Sequence, residues 1–435
     1  MAVTLADELP LLQNPRFVRY TLAKLLHLLG QNALIYGIFI IVVSEQESAV
    51  ATSAFVLTAT VPSILLSLPG GVVADALPRK LTILVTMAIR SIIVWYFIQY
   101  DAELVTVVLL TLATWTVYQF FSPAESAALT AVVSPDRIGA ANAALNGVSL
   151  AAQVLGAGLV APVALKAIGD DGLFTFVLIL YAVAFVLFLS LPRLTPRGVR
   201  KRERVGVLRS LPQGWREING EPTLMRVTML HAIMDSAVLI VVVAIPAFIT
   251  DVLRTAPENA VYIFAPAAIG VVAGLLVAPV MLKVVPARAV VTLGFALFAG
   301  VVLTLPFIPE VSRELEERTF LPLTEMQDWL NVRPAIAGTA LLLPFGGLGL
   351  TLVRVASRTA VYQHAAHEVI AQVFATQSAI GSIASLVPTL AAGLLVDLLD
   401  VRAVLLLTGS LMAVLAVLAI AGPMGAVRRT SEQLV

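Results

Sequence analysis

The sequence predicts an all-α membrane protein, with twelve transmembrane helices in two pseudo-symmetric bundles of six. Three observations predict it. Of the 435 residues, 59% are apolar and only 13% are charged, with a mean hydropathy of +0.95, whereas a water-soluble domain keeps about a quarter of its residues charged. Apolar runs of about 18 residues or more, each long enough to cross a bilayer, recur along nearly the whole chain. Finally, the two halves carry matching motifs.

The first six helices are expected near 16–44, 49–76, 80–99, 103–133, 137–167 and 172–191. The first contains LHLLGQNALI, the second ends beyond Gly70 and Gly71, and the third opens at the basic pair Arg79 and Lys80. The second six are expected near 223–251, 257–283, 288–308, 334–364, 368–396 and 402–422. Several exceed the roughly 20 residues that a crossing needs, so tilt or short extensions beyond the lipid are expected. Residues 1–192 then form one bundle, 193–221 a basic linker, and 222–435 a second bundle with an outer insertion near 309–333.

Charge near the span ends fixes the sides. One set of connections holds Arg16, Arg19, Arg79, Lys80, Arg137, Lys283, Arg288, Arg428 and Arg429. The alternate set is acidic, with Glu45, Glu47, Asp101, Glu103, Asp170, Asp171, Asp251 and Glu258. The linker from Pro192 to Glu221 has eight basic and three acidic residues, and the stretch from Pro309 to Arg333 has six acidic and three basic. By the positive-inside rule the linker and both termini lie in the cytoplasm. The start lacks a basic stretch followed by an apolar core and a small-residue cleavage site, so no cleaved signal peptide is expected.

The halves repeat. LHLLGQNALI from Leu26 matches LHAIMDSAVLI from Leu230, placing His27 on His231, Gln31 on Asp235, Asn32 on Ser236 and Ala33 on Ala237. Both spans open on P-x-x-x-R-x-T, at Pro15 and at Pro222. Arg79 aligns with Arg288 in a weaker echo, and Ile138 with Ile370 after the offset grows by about the length of the outer insertion.

The connection GGVVADALPRK raises a chemical question, since it places a Gly pair, Asp75, Arg79 and Lys80 between two apolar runs. Small residues let helices approach closely in lipid. Asp75 and Arg79 stand at i and i+4, a spacing that permits an ion pair, and a helix N-terminus elsewhere is an alternative partner for Asp75. Contacts that form and break here would make a gate; a tight turn with ordinary basic anchors is the plainer possibility. With Gly71, Asp75, Arg79 and Lys80 in place, the stretch resembles the loop signature of the major facilitator superfamily, Gly-x-x-x-Asp-x-x-x-Arg-Lys. It departs in having Ala76 and Pro78 where Arg and Gly are usual. NPRF, GQNAL, FFSPAESAALTAVVSPDRIGAANAALN and IAQVFATQSAIGS resemble the bacterial efflux branch that includes macrolide and siderophore exporters, and are also similar to lysophospholipid transporters. The spaced glycines of the antiporter signature in span five survive only as Gly147 and Gly156, with Val160 in place of the next and Pro162 displaced.

Ionisable groups inside a span are costly and point to function. Asp235 lies about 18 Å into span seven at 1.5 Å per residue, with His231 one turn away. The resemblance implies that His27, Gln31, Asn32, His231, Asp235 and Ser236 line a central cavity, where Asp235 exchanges a proton or the group hydrogen-bonds without titrating. Arg90 and Glu125 have matching depths, and the sequence predicts that they pair within the first bundle. Arg354 and Arg358, a turn apart on span ten, either bind an anionic group or anchor the gate by meeting Asp75 or helix-end carbonyls. These four are expected to form a buried charge network. His364 and His367 read as a solvated pair, without a metal. In the outer insertion, Thr324 and Gln327 have capping-box spacing, and Met326, Trp329 and Leu330 suit an interfacial helix.

There is no Cys, which removes disulfides and thiolate chemistry. No phosphate-cradling loop with Lys and Ser or Thr is present, so ATP drive is not expected. No nucleophile, base and orienting group converge, so an enzyme is not expected, and no cofactor or nucleic-acid partner is implied. The resemblance implies a secondary transporter of the bacterial cytoplasmic membrane, surrounded by lipid, working by alternating access and expected to be a monomer. It is expected to export amphipathic or hydrophobic small molecules with proton coupling. Movement of a lysophospholipid is the first alternative, and a non-transporting assembly scaffold the second.

Overall fold

The computed structural model describes residues 10–45, 49–99, 103–134, 137–192, 194, 207–255, 261–318, 334–366 and 369–421. Among them there is no strand. That is what lipid demands, because a helix satisfies its backbone hydrogen bonds within one segment. The chain divides into two compact units, Met1–Gln46 with Ala54–Leu208, and Glu47–Ser53 with Arg209–Val435.

In the first unit, α1 spans Pro15–Glu45, α2 Ala49–Ala76, α3 Arg79–Gln99 and α4 Leu104–Val132. The first turns of α2, up to Ser53, group with the second unit. Pro15 opens α1 at the position where a missing N–H costs nothing, and the Asn14 side chain accepts from the N–H groups of Arg16 (3.0 Å) and Phe17 (3.3 Å). Next, α5 (Ile138–Leu155) runs through a π-helical turn at Gly156–Val160 into α6 (Ala161–Ser190). The apolar stretch Gly147–Ser190 has 44 residues, about twice what one crossing needs. It turns at Gly169, whose φ of 69° suits a residue without Cβ. Among the described residues, eleven apolar stretches of crossing length, one of them turned back at Gly169, therefore provide twelve crossings. Phe17, Tyr20, Ile83, Met87, Phe121 and Phe188 form the core that joins α1, α3, α4 and α6.

In the second unit, α7 covers Val207–Gly220, within the stretch expected as linker. It is docked: Ile218 is fully buried with Leu224, Val227 and Val361, and Glu217 accepts from the N–H of Ala366 at 3.0 Å. After it, α8 (Pro222–Ala247) ends in a second π-helical turn, Phe248–Val252, and is followed by α9 (Val261–Val284) and α10 (Ala287–Thr304). A 3-10 turn at Leu305–Phe307 leads directly into α11 (Ile308–Arg318), so the outer insertion begins as helix. Its buried Ser312 packs on Gly338; the expected capping box and interfacial face at 324–330 lie outside the described residues. The unit closes with α12 (Pro334–His364), α13 (Ile370–Leu399) and α14 (Val401–Ala421). Glycines set its tightest contact. A Cβ on Gly270 of α9 would stand 1.8 Å from the Pro344 carbonyl of α12, and one on Gly347 would stand 2.0 Å from the Ala267 carbonyl.

Candidate functional site

The first unit holds a polar cluster in its apolar core. Arg90 on α3 is fully buried and donates to His27 Nε2 on α1 (2.8 Å) and to Tyr181 Oη on α6 (2.9 Å). Because a guanidinium only donates, His27 accepts at Nε2 and carries its proton on Nδ1. Tyr181 donates its own hydroxyl proton to Gln31 Oε1 at 3.2 Å. The rings of Tyr181 and Tyr118 lie 5.1 and 5.6 Å from the guanidinium carbon, a cation–π arrangement that spreads its charge.

Glu125 on α4 takes different partners. Its Oε2 accepts from Lys24 Nζ at 2.7 Å and its Oε1 from the Tyr20 hydroxyl, both on α1. The expected Arg90–Glu125 pair does not form. Their depths agree, but Arg90 points toward α1 and α6 whereas Glu125 meets Lys24, one turn before His27 on the same helix. Sequence reasoning missed Lys24, whose signal was a lone cation inside an apolar run. Asn32 bonds the Leu28 carbonyl of its own helix at 2.7 Å and packs against Gly156 of the π-helical turn, where a Cβ would be 2.8 Å from Asn32 Cβ.

The signature connection is anchored to helix ends. Arg79 donates to the Ala127 carbonyl (2.7 Å) and Thr130 Oγ1 (3.1 Å) near the end of α4. Lys80 donates to the Leu189 (2.7 Å) and Leu191 (2.5 Å) carbonyls at the end of α6. Both cations thus meet the negative ends of helices in their own unit. The close approach in the Gly pair belongs to Gly70, whose Cβ would stand 2.1 Å from the Gln119 carbonyl; at Gly71 the space is open. The Asp75 side chain lies outside what is described.

In the second unit, Asp235 on α8 is paired with Arg354 on α12. Arg354 donates to Oδ1 from NH2 (2.7 Å) and from Nε (3.1 Å), and His231 Nε2 stands 3.4 Å from Oδ2. Arg354 takes this unpredicted partner and meets no helix-end carbonyl among the described residues, and its expected contact with Asp75 falls on a side chain outside them. Nor is the Arg pair buried: the Arg354 side chain is 46% exposed and Arg358 is also exposed. Asp235 itself is 27% exposed, an accessible acid on a membrane-embedded helix. Gly381 of α13 faces its Oδ2. Ser236 turns away, bonding the Ala232 carbonyl at 2.8 Å and lining an apolar cavity of ≈ 410 Å³ among α8, α13 and α14. His364 bonds the Ala360 carbonyl at 3.0 Å, and His367 lies outside the described residues. Among the described residues no group of three or more His, Cys, Asp or Glu could hold a metal.

Comparison with known proteins defines the family. The sequence pattern of the Major Facilitator Superfamily matches residues 20–315. The fold is similar to that of the nucleoside transporter NupG, with a TM-score of 0.71 at 12% identity over 94% of this chain and 98% of that one. It is also similar to an inward-facing, unoccupied bacterial homologue of the human lysosomal transporter Spinster (TM-score 0.63, 14% identity, 93% and 94% covered). An auto-inhibited peptide transporter of the POT family gives a TM-score of 0.64 at 12% identity, with 95% and 98% covered. No curated protein matches the sequence significantly. At these identities the structural likeness establishes the fold, and the matched sequence pattern covers well over half of the chain. This multi-pass membrane protein belongs to the Major Facilitator Superfamily, whose members are transporters.

Proposed function

We propose that the protein is a secondary transporter that exports amphipathic or hydrophobic small molecules across a bacterial cytoplasmic membrane, driven by protons, with both termini in the cytoplasm. The observation that carries this reading is the accessible Asp235, held by Arg354 at 2.7 Å and flanked by His231 on membrane-embedded helices. An ionisable group inside a membrane-spanning helix is rare and points to function. While ionised, Asp235 binds Arg354. A proton on Asp235 removes the charge that holds Arg354, and the freed guanidinium becomes available to another partner. The site thereby links proton occupancy to a change of contacts between α8 and α12, as a coupled cycle requires. His231, one turn away, is placed to relay that proton. Asp75, Arg79 and Lys80 are assigned to the cytoplasmic gate on the strength of the loop signature, and Arg79 and Lys80 supply its fixed anchors on α4 and α6.

The test uses purified protein in liposomes with an imposed pH gradient. Asp235→Asn is expected to abolish gradient-driven movement while sparing part of the movement down a substrate gradient. Unchanged pH-driven movement in that variant would remove Asp235 from the mechanism. The exposure of Arg354 and Arg358 favours one second reading, in which the cargo is a lysophospholipid whose phosphate they bind. Labelled lysolipid in the same liposomes tests it, and failure of Arg358→Gln to slow its movement would count against it.

A further inference from the structure

The Asp235 ion pair adjoins an apolar cavity, and together they select a substrate class. The cavity lies within the second unit, among α8, α9, α10 and α12, with a volume of ≈ 170 Å³. Every lining residue is apolar, among them Val238, Val242, Ile245, Leu343, Gly346 and Leu350. Val238 stands three residues beyond Asp235, and Leu350 stands four before Arg354. Ion pair and cavity therefore follow one another on the same face of each helix, about 5–6 Å apart along the axis. Val242 and Ile245 continue the α8 face, and Gly347 and Leu343 continue that of α12. A dry cavity of about 150 Å³ holds one benzene-sized molecule, so this one suits an aromatic ring or a short alkyl body.

The polar end does not balance in charge. Arg354 and Arg358 bring two cations a turn apart, and Asp235 supplies one carboxylate, whose Oδ1 takes both contacts from Arg354. Among the described residues no carboxylate pairs with Arg358. Among the described residues the surplus is one positive charge, on Arg358, about 12 Å along α12 from Leu350 of the cavity lining. A cationic head would meet Arg358 unfavourably, and a neutral head would leave the surplus unanswered.

We propose that this site binds an amphiphilic monoanion, its anionic head on Arg358 and Arg354 and its ring-sized apolar body in the cavity toward Val242. This rests on the transport reading above and adds the substrate's charge and size. The head occupies Arg358 together with the Arg354 guanidinium that Asp235 releases on protonation, so proton and anion act at one place.

The experiment titrates the purified full-length protein in lipid nanodiscs with three probes of equal body: 4-phenylbutyrate, 4-phenylbutanol and 4-phenylbutylammonium. Calorimetry reads saturable binding above that of empty nanodiscs. The anion is expected to bind at least about tenfold tighter than the alcohol, the worth of one charge-assisted contact, and the ammonium weakest. Arg358→Gln is expected to erase the preference while leaving alcohol binding intact. Val242→Phe, which fills the cavity, should weaken all three probes, and Val242→Ala, which keeps it open, should not. No saturable binding, equal or reversed affinities, a preference that survives Arg358→Gln, or indifference to Val242→Phe would each overturn the proposal. Flux in liposomes separates the two readings. Movement of cationic or neutral amphiphiles alone overturns the anion site and keeps the transporter; saturable anion binding without flux of any probe does the reverse.

Discussion

Glu125→Gln isolates one buried charge pair. It keeps the shape of the side chain but leaves Lys24 as a cation within an apolar core. The Glu125 and Lys24 side chains are 5% and 15% exposed, and their contact is 2.7 Å. Removing one partner of a buried pair costs about 3–5 kcal/mol, because the survivor is buried without compensation. Residual exposure of Lys24 lets its ammonium reach toward water, which puts the expected loss near the lower end, about 3 kcal/mol. Tyr20→Phe removes one charge-assisted hydrogen bond to the same carboxylate and should cost about 1.5–3 kcal/mol. The pair itself need not stabilise the fold, so the double variant Lys24→Met/Glu125→Leu should recover most of the loss. The assay is equilibrium unfolding in mixed micelles, with a double-mutant cycle built from Lys24→Met, Glu125→Leu and their combination beside Glu125→Gln, the coupling energy being read from the midpoints and slopes of the cycle's four members. A Glu125→Gln variant within about 0.5 kcal/mol of the parent, or a double variant no more stable than either single one, would refute the argument.

Three further outcomes follow from particular contacts. Gly270→Val should force α9 away from the Pro344 carbonyl, which a Cβ would approach to 1.8 Å; a loss of about 1–3 kcal/mol or more is expected in the same unfolding assay. Asn14→Ala should cost about 1 kcal/mol by removing the cap on Arg16 and Phe17, and hydrogen exchange at those two amides should rise. Asp397 of α13 accepts from the N–H groups of Ala49 (2.9 Å) and Val50 (3.3 Å), so Asp397→Ala should speed exchange at those amides for a loss of about 0.5–1 kcal/mol.

The fold was legible because lipid imposes rules that leave one-dimensional traces. Long apolar runs mark crossings, and the break at Gly169 falls between Asp170 and the apolar run before it, where charge separates spans five and six. The candidate site was less legible. Counting residues from a span end gives depth but not direction around the helix axis, and direction decides the partners. Arg90 and Glu125 share a depth yet face different neighbours, one toward His27 and Tyr181, the other toward Lys24 and Tyr20. Lys24 is easily overlooked because one cation a few turns into a helix resembles a side chain reaching back to the interface. Arg354 reads as part of the gate because its place near a cytoplasmic end is also where anchors sit. Its pairing with Asp235 depends on how α8 and α12 are rotated, which apolar packing and the glycines of α9 and α12 settle. Asp235 and His231 are visible as a pair in the sequence, since i and i+4 on one helix fixes both coordinates at once.

The Asp397 cap has a mechanical consequence for α2. This helix is tethered at its first residues by a carboxylate of α13, and by the buried hydrogen bond from Ser53 Oγ to the Thr389 carbonyl at 3.0 Å, while from Ala54 onward it groups with the other unit. Any swing of the remainder must strain those clasps or be taken up along the rod. Pro62, which deprives Thr58 of its helical donor, is the natural flexure point, about 20 Å from the tethered end.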